Sequence, residues 1–318
     1  MADSVYLARK CLIMRANKVY PGEVHHVCQM TRGKVVIFYT KADYLVFFSI
    51  FCSLAEQMQI PVLALCPMPD HLHQVCIVRS REQLSCFVHE YSRRFARAWN
   101  LSRGRTGDLF HHSFRCSAKL DGKQVRTTLA YNYNNPVERR LVASAEQYPW
   151  NFLCYAQHAA PFSAPIRSDA ISKAFRQVMQ EARYCHDMRL PLNYAQLDRW
   201  SRRLSPGENQ QLTDYLIGLW NSIDYSRAIG YYGSLEKMVR AFRDNTGSEY
   251  DIPEDRNAYS DAVYADCADI LLRHHLVPSL RSIPTLPPEQ KQALYDQLLH
   301  QTTARPAQLR KYLHLVDR

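Results

Sequence analysis

The stretch IPVLALCPMPDHLHQVCIV, residues 60–78, decides the fold. Its first part, 60–66, is a short apolar run with the length of a buried strand. Met68-Pro69-Asp70 supplies turn residues, and 71–78 has the composition of a second strand, so the two form a hairpin. In the second strand the order His71-Leu72-His73 has a geometric consequence. Side chains at i and i+2 leave the same side of a strand, and the one between leaves the other. Both imidazoles can therefore reach one ion while Leu72 enters the core. The pattern is weak alone, because the chain has 13 histidines.

Outward from the hairpin, strands and helices alternate. Residues 22–31 (GEVHHVCQMT) follow Pro21 and are β-rich, and 41–58 have helical length and periodicity. Ser80, with Glu82 behind it, opens a helix that runs to about Trp99. Residues 101–107 form a basic, glycine-containing loop, and 122–135 read as a helix stopped by Pro136. Further strands are expected near Phe38 and Ser117. This order predicts an α+β fold, an antiparallel sheet with helices of the ferredoxin-like or RRM-like split βαβ type.

The pattern breaks at 157–165, where His158-Ala159-Ala160-Pro161 and Ala164-Pro165 intervene. The chain thus divides into an α+β region, 1–157, and an α-helical region, 158–318. Helices are expected at 169–184, 194–201, 208–221, 233–243, 258–275 and 288–300, with a polar loop at 244–257. Residues 284–315 hold two helices around Thr302-Thr303-Ala304 that fit a helix-turn-helix, with 303–313 reading DNA through Arg305, Gln308, Arg310 and Lys311. A plain helical bundle fits them as well. No internal repeat stands out.

Of 318 residues 47% are hydrophobic and 22% charged, which excludes wholesale disorder. No apolar run nears the ~18–20 residues that span a bilayer, and Met1-Ala2-Asp3-Ser4 lacks the order of a secretion signal. A cytoplasmic protein without a membrane partner is expected. The ten cysteines include no C-x-x-C pair and read as reduced, small core residues. The net charge of +10 is uneven: residues 1–155 carry 20 basic and 11 acidic side chains, the remainder 20 and 19. A basic first half points to a polyanion.

Two further groups of residues carry chemistry. Tyr131 and Asn135 are four apart at a helix end and share a face, so a phenol could stand beside an ion that the amide helps to hold. The run 91–100 (YSRRFARAWN) puts Arg93, Arg94 and Arg97 on one helical face and Phe95 and Trp99 on another. Arg103, Arg105 and Arg115 follow. The guanidinium fork suits phosphate, and Phe110, His111 and His112 offer surfaces on which single-stranded bases could stack. A solvated amphipathic helix is the plainer account of the same run.

Together these segments resemble a known family. Met68-Pro69-Asp70-His71-Leu72-His73 resembles the M-P-[ND]-H-x-H signature of the single-tyrosine HUH transposases of small insertion sequences. Residues 104–110 (GRTGDLF) resemble their R-x-G-x-L-F segment, 131–137 (YNYNNPV) their Y-I-H-x-N-P-V, 148–150 their Y-P-W, and 21–27 (PGEVHHV) their opening strand. The matches keep family order across residues 20–155 and are nearest to the REP-associated tyrosine transposases. Pro67, Asn132 and Tyr133 depart from the pattern. The resemblance implies an HUH endonuclease domain with His71, His73 and Asn135 as metal ligands, Tyr131 as nucleophile, and Mg²⁺ or Mn²⁺ as the cation. It implies metal-dependent cleavage and rejoining of single-stranded or hairpin DNA through a 5′-phosphotyrosine, by a monomer or homodimer. Rejoining then needs no ATP, and the chain has no G-x-x-x-x-G-K-[ST] loop. One alternative stays open, a domesticated protein that binds DNA hairpins without cutting them; a replication initiator or relaxase shares the two-histidine strand, but the short chain, single candidate tyrosine helix and M-P-D-H-L-H order argue against it. Tyr133 is a rival nucleophile.

Overall fold

The computed structural model describes residues 18–167, 171–244 and 260–315. The expectations for residues 1–4, for most of the loop at 244–257, and for the first residues of the helices placed at 169 and 258 lie outside these. The elements β1 (Val24–Met30), α1 (Lys41–Gln57), β2 (Val62–Met68), β3 (His71–Ile77), α2 (Arg81–Leu101) and β4 (Arg115–Lys119) follow one another. The sheet order is β2-β3-β1-β4, every pair antiparallel. β1 and β2 thus run parallel with β3 inserted between them, the split βαβ arrangement.

Local chemistry fixes these boundaries. Thr40 and Asp43 form a reciprocal capping box at the start of α1. The Ser80 side chain caps α2 by accepting the Gln83 N–H at 3.1 Å. α2 buries Leu84, Phe87, Tyr91, Phe95 and Trp99, spaced three and four apart. Pro67 lies inside β2, but β2 is an edge strand. Its carbonyl points off the sheet and accepts the Tyr148 hydroxyl at 2.9 Å. The N and C=O of one strand residue face the same way, so the missing N–H leaves no rung of the ladder empty.

Two readings are corrected. Residues near Phe38 form no strand. The Val36 N–H goes to the Lys311 carbonyl, and those of Ile37 and Phe38 go to Pro69, so their peptide groups never enter the ladder. Pro136 also does not stop its helix: α3 runs Gly122–Glu138 with Pro136 inside. The Arg139 N–H bonds the Asn135 carbonyl at 3.0 Å, which makes Asn135 part of a formed turn and not of a frayed end.

The two faces of the sheet are covered differently. Val27, Leu72 and Cys76 pack with α1 and α2. Val24, Ala64 and Val75 pack with Val125, Leu129, Ala130 and Tyr133 of α3 on the other side. The helical remainder comprises α4 (Lys173–Asp187), α5 (Tyr194–Ser201), α6 (Pro206–Trp220), α7 (Tyr225–Gly230), α8 (Leu235–Asp244), α9 (Val263–Arg273), α10 (Pro288–Gln301) and α11 (Pro306–Leu313). Phe175, Trp200, Leu216 and Trp220 of α4–α6 join the α1–α2 core. The composition break near 157 therefore does not coincide with a gap in packing.

In the α10–α11 pair two of the four proposed DNA-reading side chains are turned inward. α11 buries Leu309, Tyr312 and Leu313 against Val36 and α9, and the Tyr39 hydroxyl donates to the Tyr312 carbonyl. Gln308 is turned inward to Ser260 and Asp261, and Lys311 to Asp70. Only Arg305 and Arg310 of the four proposed readers are exposed. Of the nine described cysteines all are free and six are buried. Among the described residues no helix is long and apolar enough to cross a membrane.

Candidate active site

β3 is an interior strand, and its parity sends His71, His73 and Val75 to the α3 side of the sheet. The β1 residues opposite Val75, His73 and His71 are His26, Cys28 and Met30, so His26 shares that face. α3 brings Tyr131 and Asn135 down onto it, one helical turn apart. The ring centroids of His71 and His73 lie 4.9 Å apart and those of His73 and Tyr131 5.4 Å apart. The Asn135 amide nitrogen is 3.0 Å from His73 Nε2. The four residues expected to act together are thus brought together, and all four are buried, Tyr131 to 6% exposure.

Two members of this cluster were quoted from sequence without a role. His26 Nε2 stands 3.1 Å from His73 Nδ1, and its ring meets Tyr131 edge-on at 5.6 Å. Asp70 Oδ1 stands 2.6 Å from His71 Nδ1. Burial pushes the Asp70 carboxyl up, but the His71 hydrogen bond, with the charges of Lys311 and Arg139, outweighs it and holds the pKa well below the usual carboxylate range. Asp261 goes the other way: burial and the nearby Asp70 charge raise it against Arg139. The signal for His26 was its strand parity with the two-histidine strand, readable only once the register is known.

Whether a cation fits can be asked of the donors. His71 Nε2 and Asn135 Oδ1 are buried without a hydrogen-bond partner, and such orphans cost about 1–3 kcal/mol each. A cation ligated by both would satisfy them. Among the described residues no three His, Cys, Asp or Glu side chains converge as a metal cluster. A cation would therefore rest on two imidazoles completed by an amide oxygen, a mixed set that suits Mn²⁺ somewhat better than Mg²⁺.

The arginines divide sharply. α2 packs on the sheet face opposite Tyr131, so Arg93, Arg94 and Arg97 lie away from the site, and the first two are paired with Glu90 at 2.8 and 3.2 Å. Arg103 is a core residue: it is buried, ion-paired to Asp43 at 2.7 Å, and stacked 4.0 Å over Trp99. It is withdrawn from any DNA-facing surface. Arg105 is half-buried beside the same Trp99 ring. Arg115 is exposed, and opposes Cys28 across β4–β1, which puts it on the face of His73. Phe110 is buried near Phe95 and offers no stacking surface, whereas His111 and His112 are exposed.

The rival Tyr133 is fully buried, with its hydroxyl on the Leu63 carbonyl at 3.2 Å and its ring stacked on Phe242. Burial raises its pKa far above the usual phenol range. Its neighbour Asn132 is also fully buried, and neither amide atom has a partner. Replacing Asn132 by Leu should therefore stabilise the protein by about 1–3 kcal/mol. Thermal unfolding checks this, and a lower Tm in the variant would refute it.

No protein-family model matches the chain, and no curated relative matches it. Among solved structures, a REP-associated tyrosine transposase bound to a REP hairpin is similar at 17% identity, covering 42% of this chain and 78% of that one with a TM-score of 0.37. The functional reading rests on the side chains of the site.

Proposed function

We propose that the chain is a single-tyrosine DNA strand transferase. It would cleave and rejoin single-stranded DNA, at or beside hairpins, with Tyr131 as nucleophile and His71, His73 and Asn135 holding Mg²⁺ or Mn²⁺. One observation carries the reading: a phenol, two imidazoles and an amide, spread over 65 residues of sequence, meet on one sheet face with two buried polar atoms unsatisfied. The family resemblance of the motifs supplies the substrate class. The Tyr131 oxygen would form a bond to phosphorus and the bond to the 3′ oxygen would break, leaving a 5′-phosphotyrosine and a free 3′-hydroxyl. A bound divalent cation would supply charge stabilisation at the scissile phosphate. The link conserves the phosphodiester energy, so the reverse attack rejoins the strand without a nucleotide cofactor.

The burial of Tyr131 favours a second reading, a hairpin-binding protein that does not cut. One assay separates the two. Hairpin oligonucleotides labelled at each end are incubated with the protein and Mn²⁺, then resolved on a denaturing gel. A protein-linked band carrying the 3′-side fragment supports the transferase; tight binding without that band supports the binder.

Arg115 provides a second test. Binding of single strands weakens with salt by about 0.7 log units per log unit of salt for each phosphate neutralised. Arg115→Ala should flatten the slope by about that amount, whereas Arg93→Ala with Arg97→Ala should leave cleavage unchanged because α2 lies on the far face. An Arg115 variant with the full slope would remove it from the DNA path.

A further inference from the structure

The two candidate ligand histidines are each held through Nδ1. His71 Nδ1 meets Asp70 Oδ1 at 2.6 Å, and His73 Nδ1 meets His26 Nε2 at 3.1 Å. Beyond Asp70, its second oxygen lies 3.3 Å from Lys311 Nζ, which α11 brings in from 241 residues away. Resting on the metal site proposed above, we infer that Asp70 and His26 are positioning residues that lock both histidines as Nδ1–H tautomers. Lys311 holds Asp70 in place for that task.

Proton bookkeeping supports this at every bond. A carboxylate only accepts, so the hydrogen in the His71–Asp70 bond belongs to Nδ1. In the neutral ring that leaves the orphaned His71 Nε2 as a bare lone pair. At His73 the Asn135 amide nitrogen can only donate, so Nε2 accepts it and a neutral ring carries its hydrogen on Nδ1. His26 Nε2 then accepts that hydrogen, which puts the His26 hydrogen on its own Nδ1. Both lone pairs consequently stand on Nε2, the form that binds a cation, and at His73 the cation would displace the Asn135 N–H. Partners of this kind orient ligand imidazoles, and losing one costs metal affinity about 10–100-fold. Asp70 and Lys311 also close the hairpin turn onto α11, so part of this arrangement is set by residues of the helical half.

The inference is tested without DNA. In metal-free ¹⁵N-labelled protein, long-range ¹H–¹⁵N spectra identify which ring nitrogen carries hydrogen. The expected result is Nδ1–H for both His71 and His73; Nε2–H on either overturns the proposal. Mn²⁺ titration calorimetry gives the second readout. Asp70→Leu and His26→Phe keep bulk but lose the acceptor, and should weaken Mn²⁺ about 10–100-fold. Asp70→Asn and His26→Gln keep an acceptor and should recover most of it. Lys311→Met should weaken Mn²⁺ by less than Asp70→Leu. Wild-type affinity in Asp70→Leu and His26→Phe defeats the inference and leaves the proposed site standing. Absence of Mn²⁺ binding by the wild type defeats the site itself. If Asp70→Leu fails to fold, the wild-type tautomers and the His26 pair decide.

Discussion

Tyr131→Phe should abolish the covalent DNA adduct, lowering its yield by at least ~10³-fold, while hairpin binding stays within about twofold of wild type. The substitution removes one oxygen from a ring that keeps its edge contacts with His26 and His73. Phosphate contacts come from other side chains and should persist. The matched control is Tyr133→Phe. Its hydroxyl serves the Leu63 carbonyl, so the variant should lose about 1 kcal/mol of stability and retain the adduct. The opposite outcome, with adduct surviving in Tyr131→Phe and vanishing in Tyr133→Phe, would transfer the chemistry to the buried ring and undo the proposed site.

Asp43→Ala should be the most damaging single substitution for stability, at about 3–5 kcal/mol. Asp43 is fully buried and serves five donors: Arg103, the Tyr194 hydroxyl, the backbone N–H groups of Tyr39 and Thr40, and the Thr40 hydroxyl. Its loss would uncap α1, leave a guanidinium buried without its counter-charge, and unfasten α5 from the α+β half. Natural domains have only ~5–15 kcal/mol in hand, so the urea midpoint should fall by about a fifth or more. Because α4–α6 still share the α1–α2 core, the transition should remain single. A loss below ~1 kcal/mol would show that water or a shifted side chain replaces the carboxylate.

The parts of the fold that sequence disclosed are those governed by local periodicity. The hairpin, α1, α2 and the strand at Ser117 all follow from runs of side chains whose spacing matches one geometry. What sequence missed depends on where a segment lies relative to another. Residues around Phe38 have strand composition, yet their partners are carbonyls at Pro69 and Lys311, which no local pattern announces. Arg93, Arg94 and Arg97 have the composition of a phosphate-binding face and fall between two site motifs along the chain. The α2 core residues instead seat that helix on the opposite face. Arg103 looked like one more surface cation, because its counter-charge, Asp43, is 60 residues away. At the candidate site, Tyr131, His71, His73 and Asn135 were singled out by the family resemblance, and the strand and helix repeats show only that each pair shares a face. His26 was not, since its place depends on a register between two strands.

The Asp70–Lys311 contact also has a consequence in time. Its two ends are 241 residues apart in the chain, and a ribosome adding ~5–20 residues per second needs roughly 12–50 seconds to get from one to the other. Throughout that interval the hairpin, the helix bearing Tyr131 and the basic strand β4 already exist as polypeptide, but the lysine does not. A message broken before codon 311 would yield a product with every candidate catalytic side chain and without the ion pair beneath His71. If the proposed site is correct, the late lysine would tie its completion to translation through that codon, and aborted fragments would lack the ion pair that holds Asp70 against His71.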